Sequence, residues 1–314
     1  MQKKIQALKN IKTNQTITVN YKDANDVQLY NETVLPSLFT DITNDISIQF
    51  KHEENSFFDF GVQRLLPQKY SQLGPPLITG DVNGDGLSDV FIGGGSYQSG
   101  VIFIQNSNGA FTLHNLVEKD KTGEDAGAVF FDADGDKDID LVITEGSTEF
   151  GNSATMNVPR LYKNDGKGNF SFDANAFAAS ITTISQAVTA ADYDDDGDMD
   201  IFIGGRVLAN QYPLPPRSYI LQNNNGKFTD VTQNVCAALK DPGLITAAVW
   251  TDFDNDKNID LVLCGEWMPI RFFKNRNGKL EEVTANTGLK NMNGLWRSLL
   301  PVDIDKDGDM DFIA

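Results

Sequence analysis

The stretch Asp192-Tyr193-Asp194-Asp195-Asp196-Gly197-Asp198-Met199-Asp200 places six acidic side chains in nine residues. Carboxylates this crowded repel one another in a folded chain unless a cation sits among them. The spacing points to the cation. Oxygens at positions one, three and five, a backbone carbonyl at seven and a carboxylate at nine wrap one hard ion. Six to eight oxygen ligands suit Ca²⁺, whereas Mg²⁺ prefers a stricter octahedron that keeps waters. Gly197 at position six allows the positive φ that the sharp turn requires.

The loop recurs. The candidate ligands are Asp81, Asn83, Asp85, Leu87 (through its carbonyl) and Asp89 in the first copy. They are Asp132, Asp134, Asp136, Asp138 and Asp140 in the second, and Asp192, Asp194, Asp196, Asp198 and Asp200 in the third. The fourth supplies Asp252, Asp254, Asp256, Asn258 and Asp260, and the fifth Asp303, Asp305, Asp307, Asp309 and Asp311. First ligands fall at 81, 132, 192, 252 and 303, so the steps are 51, 60, 60 and 51 residues. A single DxDxDGxxD match is weak, but five at a near-constant step mark an array or a propeller. The expectation is up to five Ca²⁺, one per loop. Lys137 and Lys257 stand where the third loop has glycine, and a positive φ costs such residues roughly 1 kcal/mol.

An EF-hand needs a bidentate glutamate at position twelve and a helix on each side. Here position twelve holds Ile92, Ile143, Ile203, Leu263 and Ala314, so the ninth-position aspartate is expected to close the site, in bidentate fashion at Asp200. The flanks are short apolar runs, such as Ala247-Ala248-Val249-Trp250-Thr251 and Leu261-Val262-Leu263-Cys264, which read as strands. Each loop is therefore the turn of a β-hairpin.

A second strand ends on glycine at Gly93-Gly94-Gly95, Gly146, Gly204-Gly205 and Gly265. A third strand, an Asn/Gly turn and a fourth strand follow, as in Tyr219-Ile220-Leu221 to Asn225-Gly226-Lys227-Phe228. Four strands in each ~50–60 residues make a propeller blade. The fold class expected is all-β, a seven-bladed β-propeller with about five blades present and Ca²⁺-binding hairpin loops. Residues 1–35 lack the pattern and read as the end of a preceding module plus a linker, and 36–314 as the propeller, incomplete at its C-terminus. Phe39-Thr40-Asp41-Ile42-Thr43 has the form of the blade-closing Phe228-Thr229-Asp230-Val231-Thr232, so 38–43 is expected to be a strand completing the ring. On this reading the chain is part of a longer protein or a larger assembly.

The net charge of −18 argues against nucleic acid and anionic membranes as partners. Because the five loops hold 23 of the 44 acidic residues, most of that charge belongs to the metal sites and says little about a ligand. No apolar run is long enough to span a bilayer directly. The two cysteines, Cys236 and Cys264, are too few for a disulfide scaffold, and Cys264 reads as a buried small hydrophobe. Open oxygen-rich loops fill at the millimolar Ca²⁺ found outside cells, which places the protein there.

The loops with their apolar flanks resemble FG-GAP (VCBS) repeats, the Ca²⁺-bearing blades of integrin α-subunit propellers. Gly265-Glu266-Trp267-Met268-Pro269-Ile270-Arg271-Phe272-Phe273-Lys274-Asn275, with Gly294-Leu295-Trp296-Arg297-Ser298, is similar to FG-GAP proteins that carry an ASPIC/UnbV domain, and residues 5–24 are similar to the end of such a domain. The resemblance implies a secreted or cell-surface bacterial protein on the outer-membrane exterior, often encoded with nutrient-uptake systems. It implies no settled catalytic activity.

Two functions remain open: a non-enzymatic Ca²⁺-stabilised module that binds a protein or glycan at the cell surface, in nutrient (glycan) uptake or adhesion, and a carbohydrate-active lyase or glycosidase. The sequence favours the first. His52 and His114 are isolated from each other and from both cysteines, so no His-based cluster is visible, and no catalytic residue is assigned. Glu145, Glu149 and Glu266 lie just after second strands and are the candidate carboxylates, with Trp267 beside Glu266 as a sugar-stacking surface. The blander reading is a capped strand end with a packed indole. Tyr97, Arg206 and Tyr212 are candidate contacts on longer loops at the same blade edge.

Overall fold

In a computed structural model, residues 4–5, 8–26, 38–42, 46–116, 118, 121–152 and 156–314 are described. They divide into two compact units, 1–43 and 44–314. In the first, β1 (Lys4–Ile5) pairs antiparallel with β2 (Asn25–Asp26). Residues 38–42 lie in bends and irregular backbone, not in the expected strand, and residue 43 falls outside the described residues.

The second unit is built from the hairpins that the acidic loops turn. Blade one comprises β3 (Leu77–Gly80), β4 (Asp89–Ile92), β5 (Val101–Gln105) and β6 (Phe111–Asn115). Blade two comprises β7 (Asp125–Phe131), β8 (Asp140–Glu145), β9 (Arg160–Asn164) and β10 (Phe170–Asp173). Blade three comprises β11 (Ala187–Ala191), β12 (Asp200–Gly204), β13 (Tyr219–Asn224) and β14 (Lys227–Asp230). Blade four comprises β15 (Leu244–Thr251), β16 (Asp260–Met268), β17 (Arg271–Asn275) and β18 (Leu280–Glu282), with β19 (Gly294–Leu295) added beside the end of β16. Each is an antiparallel meander in sequence order. A further hairpin, β20 (Leu300–Val302) with β21 (Asp311–Ile313), carries the fifth loop. This is the all-β propeller architecture expected, with four complete blades and one hairpin among the described residues.

The core lies between blades. Phe91, Ile102 and Ile104 of blade one pack on Leu141, Ile143 and Tyr162 of blade two. Val142 and Leu161 meet Ile201, Ile203 and Tyr219 of blade three, and Phe202 and Ile220 meet Leu261, Leu263 and Phe273 of blade four. Second strands are covered on both faces, which is why β8 and β12 are buried at every residue and read as unbroken apolar runs. Asn225 and Gly226, and Asn277 and Gly278, take the positive φ expected of Asn-Gly hairpin turns. Thr232 and Thr284, just past the fourth strands, accept the amides of Ile220 and Phe272 and so finish each blade.

Two features were not expected. Residues 46–76 belong to no blade; they run as irregular chain with bends and one helical turn, α1 (Asp59–Val62), among the loops opposite the acidic turns. Buried Asp59 anchors that segment by accepting the amides of Tyr70 and Ser71, each at 2.9 Å. Strand β16 also runs past Gly265 to Met268, pairing Glu266 with both Leu244 and Leu295. Both cysteines are free, and Cys264 is fully buried as expected.

Candidate functional site

The acidic loops are wound by their own side chains. Asp81 Oδ1 accepts the amides of Gly84 and Asp85 (2.8 and 3.1 Å) and Oδ2 that of Gly86 (2.8 Å). Position five caps position seven: the Asp138, Asp198 and Asp309 amides donate to Asp136, Asp196 and Asp307. Position six is left-handed in every copy, with φ of 84°, 76°, 95°, 73° and 96° at Gly86, Lys137, Gly197, Lys257 and Gly308. Position four is left-handed as well, at Gly84, Gly135, Asp195, Asn255 and Lys306, which the sequence reading did not foresee. Two left-handed residues coil the chain so that successive amides face the first aspartate.

The ninth aspartate is buried in the four complete blades and does more than face an ion. Asp89, Asp140, Asp200 and Asp260 accept, through Oδ1, the amides of Gln105, Asn164, Asn223 and Asn275 on their third strands at 2.7–2.8 Å. In loops one, two, four and five Oδ2 accepts the position-two amide, from Val82, Ala133, Phe253 and Ile304. Asp200 alone leaves Oδ2 buried without a partner. The bidentate role foreseen for Asp200 therefore has a free oxygen to use, whereas its counterparts share theirs with backbone amides.

Carboxylate oxygens converge within 4.8 Å at Asp132, Asp134 and Asp136; at Asp192, Asp194 and Asp200; at Asp252, Asp254 and Asp260; and at Asp303, Asp305 and Asp311. In loop one Asn83 donates to Asp85 instead (3.1 Å). Asp134 Oδ1, Asp194 Oδ1 and Asp303 Oδ1 are buried without partners, like Asp200 Oδ2. An all-oxygen set with orphaned buried acceptors fits a hard divalent cation.

The loops differ in one respect invisible from spacing. The third strand presents Lys163 to Asp134 (2.9 Å), and Lys274 to both Asp254 and Asp256, the latter at 2.9 Å. The equivalent Gln222 offers Asp194 only a neutral amide donor at 2.8 Å. Loops two and four thus hold an ammonium group among their carboxylates. The ammonium beside the fourth set of carboxylates is that of Lys274. Hydrogen bonding to Lys274 holds Asp256 down to about 2.

Burial pushes the Asp200 carboxyl up to about 7, and Asp140 and Asp260 up to about 6, from an ordinary 3.8. The folded chain without a cation then holds these protons longer than the unfolded chain. The stability they give is full below pH 3.8 and is lost as pH rises through 6–7. In EGTA the melting temperature is expected to fall by several degrees from pH 5 to 7.5. Millimolar Ca²⁺, which favours the charged forms, should abolish or reverse that fall. A flat or rising profile in EGTA would refute it.

The opposite ends of the blades carry the other candidates. Glu266 is fully enclosed, not free beside a strand end. Its Oε1 accepts from Arg206 (2.6 Å) and Arg297 (2.8 Å), and Oε2 from Tyr70 (2.6 Å). Burial pushes Glu266 up, but the Arg206 hydrogen bond and charge outweigh it and hold the carboxyl below its usual range. Arg206, foreseen as a surface contact, has no exposed surface and lies over the Tyr70 ring. Trp267 is the reverse of a packed indole: it is 58% exposed at φ 61°, with Nε1 donating to the Tyr212 hydroxyl. Trp267, Tyr212, Pro213, Pro242, Met268 and Leu65 line a groove of about 930 Å³.

Glu145 and Asp125 share Arg160 with Glu118, and burial pushes Glu145 up to about 7. Tyr97 is exposed and meets Phe150 edge-on at 6.0 Å. Glu149 accepts from Ser96 Oγ (2.9 Å) and Asn55 Nδ2 (3.1 Å). His114 is half-buried on β6. His52, read as isolated, sits 2.8 Å from Glu54 and beside buried Glu124, whose carboxyl burial pushes up to about 8. Glu124 is 70 residues along the chain from Glu54, so no local signal announced the pairing.

No curated protein sequence matches the chain. Among solved structures it is similar to a lectin of Agrocybe aegerita, described for specific recognition of non-reducing terminal N-acetylglucosamine, at 16% identity and a TM-score of 0.48. The match covers 78% of this chain and 63% of the lectin, so the chain spans less than two thirds of the lectin's length. Residues 81–143, 147–203 and 252–314, each holding one or two of the acidic loops or the strands that flank them, match the FG-GAP-like repeat. With more than half of its length matched, the chain belongs to the FG-GAP-like repeat family.

Proposed function

We propose that the chain is a non-enzymatic binding module stabilised by Ca²⁺, whose ligand, a glycan, lies in the groove beside Trp267 and Tyr212. One observation carries this reading: a large exposed indole held in place by a hydrogen bond, at the mouth of a groove of about 930 Å³. Fixed aromatic faces with a few polar groups around them suit the apolar faces and hydroxyls of a sugar ring. Glu266, through Arg206, Arg297 and Tyr70, holds the strand end that presents the indole.

Asp192, Asp194, Asp196 and Asp200, with the carbonyl of Asp198, would hold the best-formed Ca²⁺ site, and the equivalent residues the others. The ion supplies positive charge that relieves carboxylate repulsion at the turns. Open oxygen-rich loops that fill only at millimolar Ca²⁺ go with a place outside the cell; on this reading the chain sits at a bacterial surface in a larger assembly with an ASPIC/UnbV-like module. Among the described residues no helix is long and apolar enough to cross a membrane.

A glycan array with the Ca²⁺-loaded chain tests the reading. Binding of at least one glycan class is expected, and Trp267→Ala should weaken it about ten-fold or more, the loss of roughly 1.4 kcal/mol or more from one aromatic contact. Release of reducing sugar from the bound glycan, or binding indifferent to Trp267, would overturn it.

A further inference from the structure

Most charged groups opposite the acidic loops are paired: Glu266 with Arg206 and Arg297, Glu145 and Asp125 with Arg160. One set is not. A ring nitrogen of His52 and a carboxylate oxygen from each of Glu54 and Glu124 lie within 4.8 Å of one another. Glu124 is 1% exposed. Its Oε1 accepts the Gly74 amide at 2.5 Å, while Oε2 is buried without a partner. Glu149 Oε1 is likewise buried and unpartnered. Among the described residues no lysine or arginine pairs with Glu54, Glu124 or Glu149; the Lys121 ammonium is bound to Asp125 and the Gly94 carbonyl. An enclosed carboxylate oxygen without a donor is costly unless something positive meets it.

The histidine supplies the second argument. Its Nδ1 lies 3.2 Å from the Gly93 carbonyl and its Nε2 2.8 Å from Glu54 Oε1. A carbonyl only accepts, so Nδ1 carries the proton. A neutral ring then turns the lone pair of Nε2 toward a carboxylate that also only accepts. Two acceptors this close need a cation: a second proton on the ring, or a metal. A backbone carbonyl on the far nitrogen is the usual support of a metal-ligating histidine. With metal–ligand bonds of about 2.0–2.2 Å, that 2.8 Å separation subtends roughly 85° at the ion, an edge of an octahedron and too narrow for a tetrahedron. An imidazole ligand disfavours Ca²⁺ and Mg²⁺, which take oxygen, and suits first-row transition cations.

We propose that His52, Glu54 and Glu124 form a mixed nitrogen–oxygen site for a first-row divalent cation, separate from the acidic loops, that binds Zn²⁺ more tightly than Mn²⁺. Waters or Glu149 complete the shell. The three ligands come from different parts of the chain: His52 and Glu54 from the segment outside the blades, held to blade one through Gly93, and Glu124 from the start of blade two. The ion therefore fastens residues 46–76 to the first two blades, a role independent of any ligand in the Trp267 groove.

Calorimetric titration of the full chain with Zn²⁺, in about 1 mM Ca²⁺ so that the loops are filled, tests this. One equivalent with a Kd in the micromolar range or below is expected. His52→Ala should weaken it about 100-fold and Glu124→Gln about ten-fold, while His114→Ala, at the other histidine, leaves it unchanged. Co²⁺ in place of Zn²⁺ should give visible absorption bands that His52→Ala abolishes. Because the unsubstituted chain is itself titrated, the test does not depend on any variant folding. Absence of a Zn²⁺ equivalent, uptake that His52→Ala retains, an isotherm suppressed by raising Ca²⁺ about ten-fold, or a His52 ring that keeps both protons in excess Zn²⁺ would each overturn the site.

Discussion

Asp200→Ala is expected to be the most damaging single substitution in the acidic loops, costing about 2–4 kcal/mol at millimolar Ca²⁺. Two losses combine. The buried Asn223 amide loses its acceptor, worth about 1–3 kcal/mol when left unmet in the interior. The third site also loses the only ninth-position carboxylate with a free oxygen, and with it the increment RT ln(1 + [Ca²⁺]/Kd), about 1.4 kcal/mol at ten times Kd. Asp200→Asn separates the two. It keeps an acceptor for Asn223 and discards the charge, so it should match the parent in EGTA and fall behind only as Ca²⁺ is added. Asp260→Ala should cost less in Ca²⁺, because Lys274 already neutralises part of its loop, and the gap should close in EGTA. Thermal melts of the three variants with and without Ca²⁺ decide this. A gap that survives EGTA, or Asp260→Ala proving the worse in Ca²⁺, would show that loop chemistry does not rank the sites.

Asn223→Ala is expected to cost about 3 kcal/mol although it removes no charge and touches no ligand. Asn223 is 3% exposed. Its Nδ2 donates to Met199 O in its own acidic loop (3.1 Å) and to Ala133 O in the loop of the preceding blade (2.9 Å). Its Oδ1 accepts the Gly226 amide of the next turn (2.9 Å). The same clasp recurs: Asn164 reaches Ile139 and Val82, and Asn275 reaches Ile259 and Tyr193. Deleting one side chain leaves three backbone groups, two of them buried, to find new partners. The distinguishing readout is hydrogen exchange. Amides around Ala133 to Asp136 in blade two should exchange faster when Asn223, in blade three, is replaced. Faster exchange confined to blade three would mean that the link between loops carries no stability.

The sequence made the loops legible because their chemistry is local. Nine residues hold the donors, the left-handed sixth position and the closing aspartate, and the strands on either side are short enough to be fixed by their own periodicity. Asn-Gly turns were readable for the same reason: Asn225 and Gly226 need no distant partner to declare their φ. What escaped was non-local. Asn164, Asn223 and Asn275 look like ordinary turn residues until the neighbouring blade is in place. Arg206 looked like a surface group, and only the packing of Tyr70 and Glu266, distant in sequence, shows it buried. Trp267 was read either as a sugar-stacking surface or as a packed indole, and the sequence could not choose; its left-handed backbone, beside the added strand β19, accompanies its exposure. His52 was set aside because no cysteine or other histidine lies near it, whereas its partners are carboxylates, Glu54 beside it and Glu124, which arrives with blade two.

The asparagine clasps all point one way. Among the described residues, the third strands of blades two, three and four each hold the loop of the blade before, whereas only Asn255 of the fourth loop reaches forward, to Asp309 of the fifth. The array therefore has a mechanical polarity. Tension that peels blades from the C-terminal side strips each remaining loop of its clasp just before that loop bears the load, so successive ruptures ease one another. Tension from the N-terminal side removes a blade whose own loop was being held, and leaves the later clasps intact. A chain anchored at one end would resist shear according to which end is fixed, a directional toughness that equilibrium melting would not register.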